Sequence, residues 1–253
     1  MDFEELLHKV IDIVKSCKGI ISYNTVNITK KGDNNFVTNV DKSVEACLSK
    51  ELTKVLPNSY IVSEEQENNY ANLNEEYCWV IDPIDGTTNF ISGYAYSISV
   101  GLKVKGVTTI GVVYCPFNET LYYSLINKGA YKVNSDNKIQ KLMVDENVPS
   151  KVFLFGVPYN RNKLNDMLKI VCSDNTKYAD LKRIGPASLD VCRVAENSAC
   201  VYIEYDLKIW DYCAAALILE EANGAYRVFD DLCIFGNKQE VKKYEYLKDK
   251  NCR

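Results

Sequence analysis

A hydrophobic run leads directly into two aspartates in residues 79–90, WVIDPIDGTTNF. Pro83 biases Asp82 toward extended geometry, so the pattern predicts a buried strand that ends at Asp82. Gly86 permits a tight turn immediately after Asp85. The segment therefore predicts two carboxylates at the end of a strand, directed into one space.

The residues after the turn predict a helix N-terminus beside those carboxylates. Thr87 or Thr88 can cap a helix that begins near Asn89, and such an N-terminus attracts phosphate. Two close carboxylates repel each other unless a cation or a proton lies between them. Oxygen ligands without histidine or cysteine favour Mg²⁺ over Zn²⁺. The alternative is an ordinary turn whose aspartates only form local hydrogen bonds.

Bulk composition limits the classes of function. The chain has 253 residues, 47% apolar and 25% charged, with a net charge of −4, which predicts a globular protein with a substantial core. This charge gives no basic face for nucleic acid. No apolar run is long enough to span a bilayer, and the acidic amphipathic N-terminus does not resemble a signal peptide. We therefore expect a cytoplasmic protein with no nucleic-acid or membrane partner.

Histidine and cysteine are not expected to carry the chemistry. His8 is the single histidine and lies on a predicted amphipathic helix, so a triad built on histidine is not expected. The ten cysteines are scattered without a CxxC pair, which favours reduced thiols over disulfides or a zinc site.

Periodicity predicts a layered α+β chain in two halves of one unit spanning 1–253, about 1–147 and 148–253. The first half begins with a helix over residues 3–17 and a second helix that Asp41 opens, and continues as an antiparallel meander over 96–133. The second half alternates strands with helices: one over 160–172, one starting at Pro186, and one capped by Asp211. In this half, AYRVF is predicted as the last strand.

Two more acidic sites occur in similar settings. IVSEEQ ends a short predicted strand in Glu64 and Glu65, and KIWDY places Asp211 immediately before an alanine-rich helix. Taken alone, Glu64 is compatible with a surface loop and Asp211 with an ordinary N-cap.

Together, these segments resemble the inositol monophosphatase family of Mg²⁺-dependent, lithium-sensitive sugar phosphatases. The matching strings are FVTNVDKSVE (36–45), SEE (63–65), DPIDGTTNF (82–90) and WDYCAAALILEEANG (210–224). The resemblance covers roughly the whole chain. It implies a five-layered αβαβα sandwich, usually dimeric, and hydrolysis of a small phosphorylated polyol or sugar.

The resemblance also implies roles for individual residues. Two to three Mg²⁺ ions would be held by Glu64, Asp82, Asp85, Asp211 and the carbonyl of Ile84. Thr87 and Asp41, with Glu64, would orient and deprotonate the attacking water. The N–H groups of Gly86 and Thr87 would bind phosphate, and Lys30 is a possible lysine near the third ion.

For the remainder of the substrate, the resemblance points to Glu204, Gly185, Ala187 and Asp211. Pro186 stands where serine or threonine is commoner in the family, and Asn35 stands where an acid is common. These departures affect substrate identity and not the metal ligands.

Several functions stay open within this resemblance. myo-Inositol 1-phosphate is the favoured substrate. The alternatives are a 3'(2'),5'-bisphosphate nucleotidase, a fructose-1,6-bisphosphatase, a histidinol-phosphatase, or a non-catalytic relative that binds a cation or a sugar phosphate.

Overall fold

Two β-sheets form the framework of the computed structural model, which describes residues 1–22, 26–32, 35–147, 151–158, 160–174 and 177–244. The α-helices are α1 (Phe3–Ser16), α2 (Asn39–Val55), α3 (Thr87–Ile91), α4 (Leu164–Asp174), α5 (Ala187–Ala195), α6 (Ile209–Glu221) and α7 (Lys238–Lys243). The strands of the first half are β1 (Ile28–Gly32), β2 (Asn35–Thr38), β3 (Tyr60–Ser63), β4 (Cys78–Asp85), β5 (Ser97–Val104), β6 (Val107–Cys115), β7 (Thr120–Leu125), β8 (Ala130–Val133) and β9 (Ile139–Lys141). Those of the second half are β10 (Val152–Phe155), β11 (Asp180–Lys182), β12 (Val201–Tyr205), β13 (Ala225–Phe229) and β14 (Leu232–Gly236).

The larger sheet has seven strands in the order β3-β4-β5-β6-β7-β8-β9. From β4 to β9 each strand pairs antiparallel with the next, so the predicted meander is confirmed. Only the edge strand β3 runs parallel to its neighbour β4 within this sheet of the described chain. The second sheet has the order β11-β10-β12-β14-β13, and β1 and β2 form a separate hairpin.

Apolar side chains join these elements into five layers. One face of the larger sheet packs against α1 and α2 through a cluster that includes Leu48, Trp79 and Val100. Its other face and the inner face of the smaller sheet enclose α5 and α6. The outer face of the smaller sheet is covered by α4 and α7, where Met167 and Val241 pack. The predicted αβαβα sandwich is therefore confirmed.

Helix α6 is the central element because it touches both sheets. Its sequence, IWDYCAAALILEE, is apolar on nearly all sides, as expected of a helix buried between layers. Gly111 on β6 lets α6 approach closely, since a Cβ at this position would lie 2.5 Å from the backbone oxygen of Ala214. The larger sheet thus fixes the position of α6.

The structure corrects two predicted helix starts. Thr38, rather than Asp41, caps α2, and Asp41 is the third helical residue in a capping box. Lys208, rather than Asp211, is the N-cap of α6, and Asp211 is again the third residue. In both cases the acid accepts a hydrogen bond from the N-cap backbone, so its carboxylate points back toward the helix start.

Three further boundaries differ from the predictions. Strand β4 continues through Pro83 to Asp85 instead of ending at Asp82. Helix α3 begins at Thr87 instead of near Asn89. Its N-cap is Gly86, which has a φ of 87° and makes no side-chain cap hydrogen bond. Beyond AYRVF the chain forms one more strand, β14, which pairs centrally in the smaller sheet.

The nine cysteines in the described part of the chain are free thiols, and most are buried. Cys252 lies outside the described residues. Among the described helices, none has the length and apolar character needed to cross a membrane.

Candidate active site

A bulge in β4 brings the first two aspartates to the same side of the strand. Asp82 pairs with Ser99 and Asp85 with Ser97, and the register shifts between these pairs. In a regular strand, residues three apart point to opposite faces. Here three steps on β4 match two steps on β5, and an extra residue of this kind re-aims the side chains that follow it.

Asp211 joins them from the first turn of α6. Ligand oxygens of Asp82, Asp85 and Asp211 all lie within 4.8 Å of one another. The backbone N–H of Lys208 donates to Oδ2 of Asp211 at 2.6 Å, and that of Ile84 donates to Oδ1 of Asp82 at 3.1 Å. Backbone donors therefore hold each carboxylate in place, at the meeting point of the larger sheet and the central helix layer.

Burial and mutual repulsion make the ionised cluster unfavourable without a cation. Burial raises the pKa of Asp82 well above its usual range, and the charges of Glu64, Asp85 and Asp211 raise it further. The pKa of Asp211 is also raised, first by burial and then by Asp85 and Glu64. Burial raises the pKa of Asp85 to about 6, against hydrogen bonds from Ser188 that lower it. A bound cation would remove this repulsion.

The donor set fits Mg²⁺. The cluster offers carboxylate oxygens only, and hard oxygen ligands suit Mg²⁺. The carbonyl oxygen of Ile84, also predicted as a ligand, lies 3.3 Å from the hydroxyl of Thr87.

Asp85 is also held by two serines that the sequence pattern did not single out. The N–H of Ser188 donates to Oδ2 of Asp85 at 2.7 Å, and the hydroxyl of Ser97 donates to the same oxygen at 3.4 Å. The two hydroxyls lie 2.8 Å apart. Ser188 follows Ala187 at the start of α5, so this helix is anchored to the carboxylate cluster.

Thr87 and Asp41 meet as predicted. The hydroxyl of Thr87 donates to Oδ1 of Asp41 at 2.9 Å, and both residues are buried. Oδ2 of Asp41 accepts from the N–H of Thr38 at 3.0 Å and from the Thr38 hydroxyl. The capping box thus occupies one oxygen of Asp41 and leaves the other for Thr87.

Glu64 lies at the edge of the site and pairs with Lys31. The ammonium of Lys31 is 3.3 Å from Glu64 and 2.5 Å from Glu65. Burial raises the pKa of Glu64 to about 7, although the charge of Lys31 lowers it. Lys31 directly follows Lys30 on β1, and its ion pair with Glu64 places this strand beside the site. The role predicted for Lys30 stays a prediction.

A cleft of about 300 Å³ extends from Asp85 and Asp211 toward the smaller sheet. Its walls include the predicted substrate residues Gly86, Gly185, Ala187 and Glu204. They also include residues that were not predicted: Phe36, Arg183, Asp190 and Tyr202. The side chain of Asn35 lies outside the described part of the structure.

The loop before α5 is clamped by an ion pair. Asp190, which is buried, accepts from the N–H of Gly185 at 2.9 Å and pairs with Arg193. Arg193 also donates to the carbonyl of Gly185 at 3.3 Å. Pro186 packs against the turn after β4, because a Cβ on Gly86 would meet the Cβ of Pro186 at 2.8 Å. The loop before α5 and the turn after β4, which form two walls of the cleft, therefore hold each other in position.

Solved structures share this fold closely. The chain superposes on the extragenic suppressor protein suhB of Bartonella henselae with a TM-score of 0.85 at 23% identity, covering 96% of this chain and 97% of that one. It superposes on the inositol monophosphatase of Anabaena with a TM-score of 0.80 at 25% identity, covering 96% and 94%. The fold is thus that of the inositol monophosphatases.

Sequence comparison makes the assignment specific. The model of the inositol monophosphatase family matches residues 3–240. The Nus factor SuhB of Haemophilus influenzae is 36% identical over 212 residues, which is 81% of this chain and 76% of that protein. The fructose-1,6-bisphosphatase/inositol-1-monophosphatase of Aquifex aeolicus is 35% identical over 232 residues, which is 86% of each. The chain belongs to the inositol monophosphatase family.

Proposed function

We propose that this protein is a Mg²⁺-dependent phosphomonoesterase that hydrolyses a small phosphorylated polyol or sugar, with myo-inositol 1-phosphate as the leading substrate. The observation that carries the proposal is the buried group of Asp82, Asp85 and Asp211, whose ligand oxygens lie within 4.8 Å of one another. A hydroxyl–carboxylate pair, Thr87 and Asp41, stands beside it. We further propose that the protein is cytoplasmic, as the scattered cysteines suggest, and that it is a homodimer, as the family resemblance implies.

Asp82, Asp85 and Asp211 would hold the metal, with Glu64 and the carbonyl of Ile84 as further ligands. When bound, Mg²⁺ supplies Lewis-acid stabilisation of the phosphate and lowers the pKa of water. Positioning the attacking water and binding the phosphate oxygens are roles of residues of the chain.

Thr87 is placed to orient the attacking water. Since its hydroxyl hydrogen is donated to Asp41, the Thr87 oxygen can accept a hydrogen bond from water. As Oγ1 of Thr87 takes a proton from the water, the hydrogen that it already donates would pass to Oδ1 of Asp41, so that Thr87 stays neutral and Asp41 becomes protonated. Helix α3 begins at Thr87 with no side-chain cap, so the N–H groups of Gly86 and Thr87 are suited to bind phosphate oxygens.

The test is phosphate release from a panel of phosphate esters, each with Mg²⁺, with Mg²⁺ plus lithium, and with EDTA. The panel comprises myo-inositol 1-phosphate, fructose 1,6-bisphosphate, histidinol phosphate and a 3',5'-bisphosphate nucleotide. Mg²⁺-dependent release that lithium inhibits supports the proposal. Absence of release from every ester would refute it.

A second candidate function is binding without hydrolysis. Several relatives, including that of Haemophilus influenzae, carry the name Nus factor SuhB, which does not name a hydrolytic activity. In this case the carboxylates would serve a binding role, and Asp85→Asn would leave the low background of phosphate release unchanged.

A further inference from the structure

The carboxylate of Glu204 lies at one end of the cleft, between Tyr202 on one side and Gly156 on the other. Tyr202 and Glu204 are two residues apart on β12, so their side chains lie on the same face of the smaller sheet. The hydroxyl of Tyr202 donates to Oε2 of Glu204. Tyr202 is 1% exposed, and its ring stacks on Phe235 at 5.9 Å, so the hydroxyl is fixed by packing.

On the other side, Gly156 leaves the space that the carboxylate fills. The N–H of Gly156 donates to the carbonyl of Ile203 at 3.0 Å, which sets Gly156 beside Glu204. A Cβ on Gly156 would lie 1.9 Å from the carboxyl carbon of Glu204. Contacts this short do not occur, so any larger residue at 156 would displace the carboxylate.

The charges near this end of the cleft are mostly negative. Burial is the largest cause of the raised pKa of Glu204, and the hydrogen bond from Tyr202 lowers that pKa. The charges of Asp190 and Asp85 raise it further, whereas the charge of Arg183 lowers it. Asp190 is already paired with Arg193, and Arg183 is exposed. An ionised carboxylate accepts hydrogen bonds from hydroxyl groups and repels a second phosphate.

We propose that Tyr202 and Gly156 are positioning residues: they fix the carboxylate of Glu204, which the family resemblance already assigns to the substrate, and the preference of the cleft for uncharged hydroxyls over a second phosphate depends on that fixed position. This inference rests on the proposed function and names the residues that set its substrate preference. Tyr202 occupies Oε2, which leaves Oε1 for the substrate. Neither positioning residue touches the reacting atoms.

The test compares kcat and KM for myo-inositol 1-phosphate, fructose 1,6-bisphosphate and p-nitrophenyl phosphate at pH 8 with saturating Mg²⁺. The variants are Tyr202→Phe, Gly156→Ala and Glu204→Gln. The matched control is Tyr205→Phe, which removes a hydroxyl from the same strand on the face that packs toward α4 and α7.

Wild-type protein should prefer inositol 1-phosphate to the bisphosphate. Tyr202→Phe and Gly156→Ala should each lower that preference about tenfold, the usual scale for a hydrogen bond to a charged group. The loss should come chiefly from a higher KM for inositol 1-phosphate. Glu204→Gln should shift the preference in the same direction and add little to Tyr202→Phe in the double variant, since both act through one carboxylate. Tyr205→Phe should keep the wild-type preference.

The outcomes separate this inference from the proposed function. No phosphate release from any of the three substrates overturns both. Turnover with an unchanged preference in Tyr202→Phe overturns the inference alone, and so does a wild-type preference for the bisphosphate, which would mean that Arg183 recruits the second phosphate. If Gly156→Ala does not fold, Tyr202→Phe decides, because it keeps the ring and its packing.

Discussion

The hydroxyl of Thr87 and the carboxylate of Asp41 form a buried hydrogen bond of 2.9 Å across 46 positions of sequence. Asp41 serves two elements at once, because its second oxygen completes the N-terminal capping box of α2. The bond therefore joins the start of α2 to the start of α3 beside the carboxylate cluster.

Thr87→Ala should lower kcat for phosphate release about 100-fold or more, as expected when a positioned proton-transfer group is lost. Thr87→Ser keeps the hydroxyl and should retain most of the activity. Steady-state kinetics with Mg²⁺ would measure both variants. Equal activity of the alanine and serine variants would contradict the role given to this hydroxyl.

Asp85→Asn should abolish most of the thermal stabilisation that Mg²⁺ confers. A ligand at 100 times its Kd stabilises a folded protein by about 2.7 kcal/mol, and the variant lacks one charge of the site. In EDTA its melting temperature should equal or exceed that of the wild type, because one repulsive buried charge is gone. Differential scanning fluorimetry with and without Mg²⁺ gives both values.

The control for Asp85→Asn is Asp166→Asn, an exposed acid on α4 that pairs with Lys169. Mg²⁺ should raise the melting temperature of this control as much as it raises that of the wild type. If Asp85→Asn also kept the full Mg²⁺ shift, Asp85 would not be a metal ligand.

Glu204→Gln should reduce the pH dependence of stability in EDTA. The pKa of Glu204 is raised from 4.5 to about 7 in the folded state, so the folded protein binds more protons than the unfolded chain. This contribution is fully present below about pH 4.5 and is lost as pH rises through 7, and stability should fall over that range. Urea unfolding at pH 5, 6, 7 and 8 should show a shallower fall for the variant.

The difference between the two proteins reports the titration of Glu204 alone. The pKa of Glu64 is also raised to about 7, but Glu64 is present in both proteins. The glutamine can still accept a hydrogen bond from Tyr202. Parallel stability curves for the two proteins would show that Glu204 keeps an ordinary pKa in the folded state.

Gly111→Ala should destabilise the protein by about 1–3 kcal/mol, the usual cost of overpacking. The added methyl group would meet the backbone of α6 at Ala214, 2.5 Å away, and backbone cannot rotate aside. Because α6 carries Asp211, the variant should also bind Mg²⁺ more weakly. Urea unfolding and Mg²⁺ titration would measure the two effects, and Gly19→Ala, where a Cβ meets nothing within 4 Å, is the control.

Local sequence signals were sufficient where one short segment determines the geometry. The string from Asp82 to Thr87 predicted a strand, a turn at Gly86 and a helix start, and all three are present. The bulge was not predictable, because it depends on how β4 pairs with β5. The assumption that Pro83 ends the strand was wrong, since β4 continues to Asp85.

Most contacts between segments that are distant in sequence could not be predicted from the sequence pattern. Asp211 was predicted as a helix cap by its position, but the true N-cap is Lys208. Ser188 reaches Asp85 across 103 positions, and nothing in its local sequence indicates that contact. The pairing of Lys31 with Glu64 depends on how the β1–β2 hairpin is placed, which composition does not give.

The carboxylate cluster draws its members from opposite sides of the layered architecture. Asp82 and Asp85 arise from a strand of the larger sheet, whereas Asp211 arises from the helix layer that the second half of the chain contributes. A cation bound there would link the strand that carries Asp82 and Asp85 to the helix that carries Asp211, and a fragment ending near residue 147 would carry an incomplete set of ligands. Because α6 packs on the larger sheet, we expect metal binding to strengthen that contact and chelation to weaken it before either sheet unfolds.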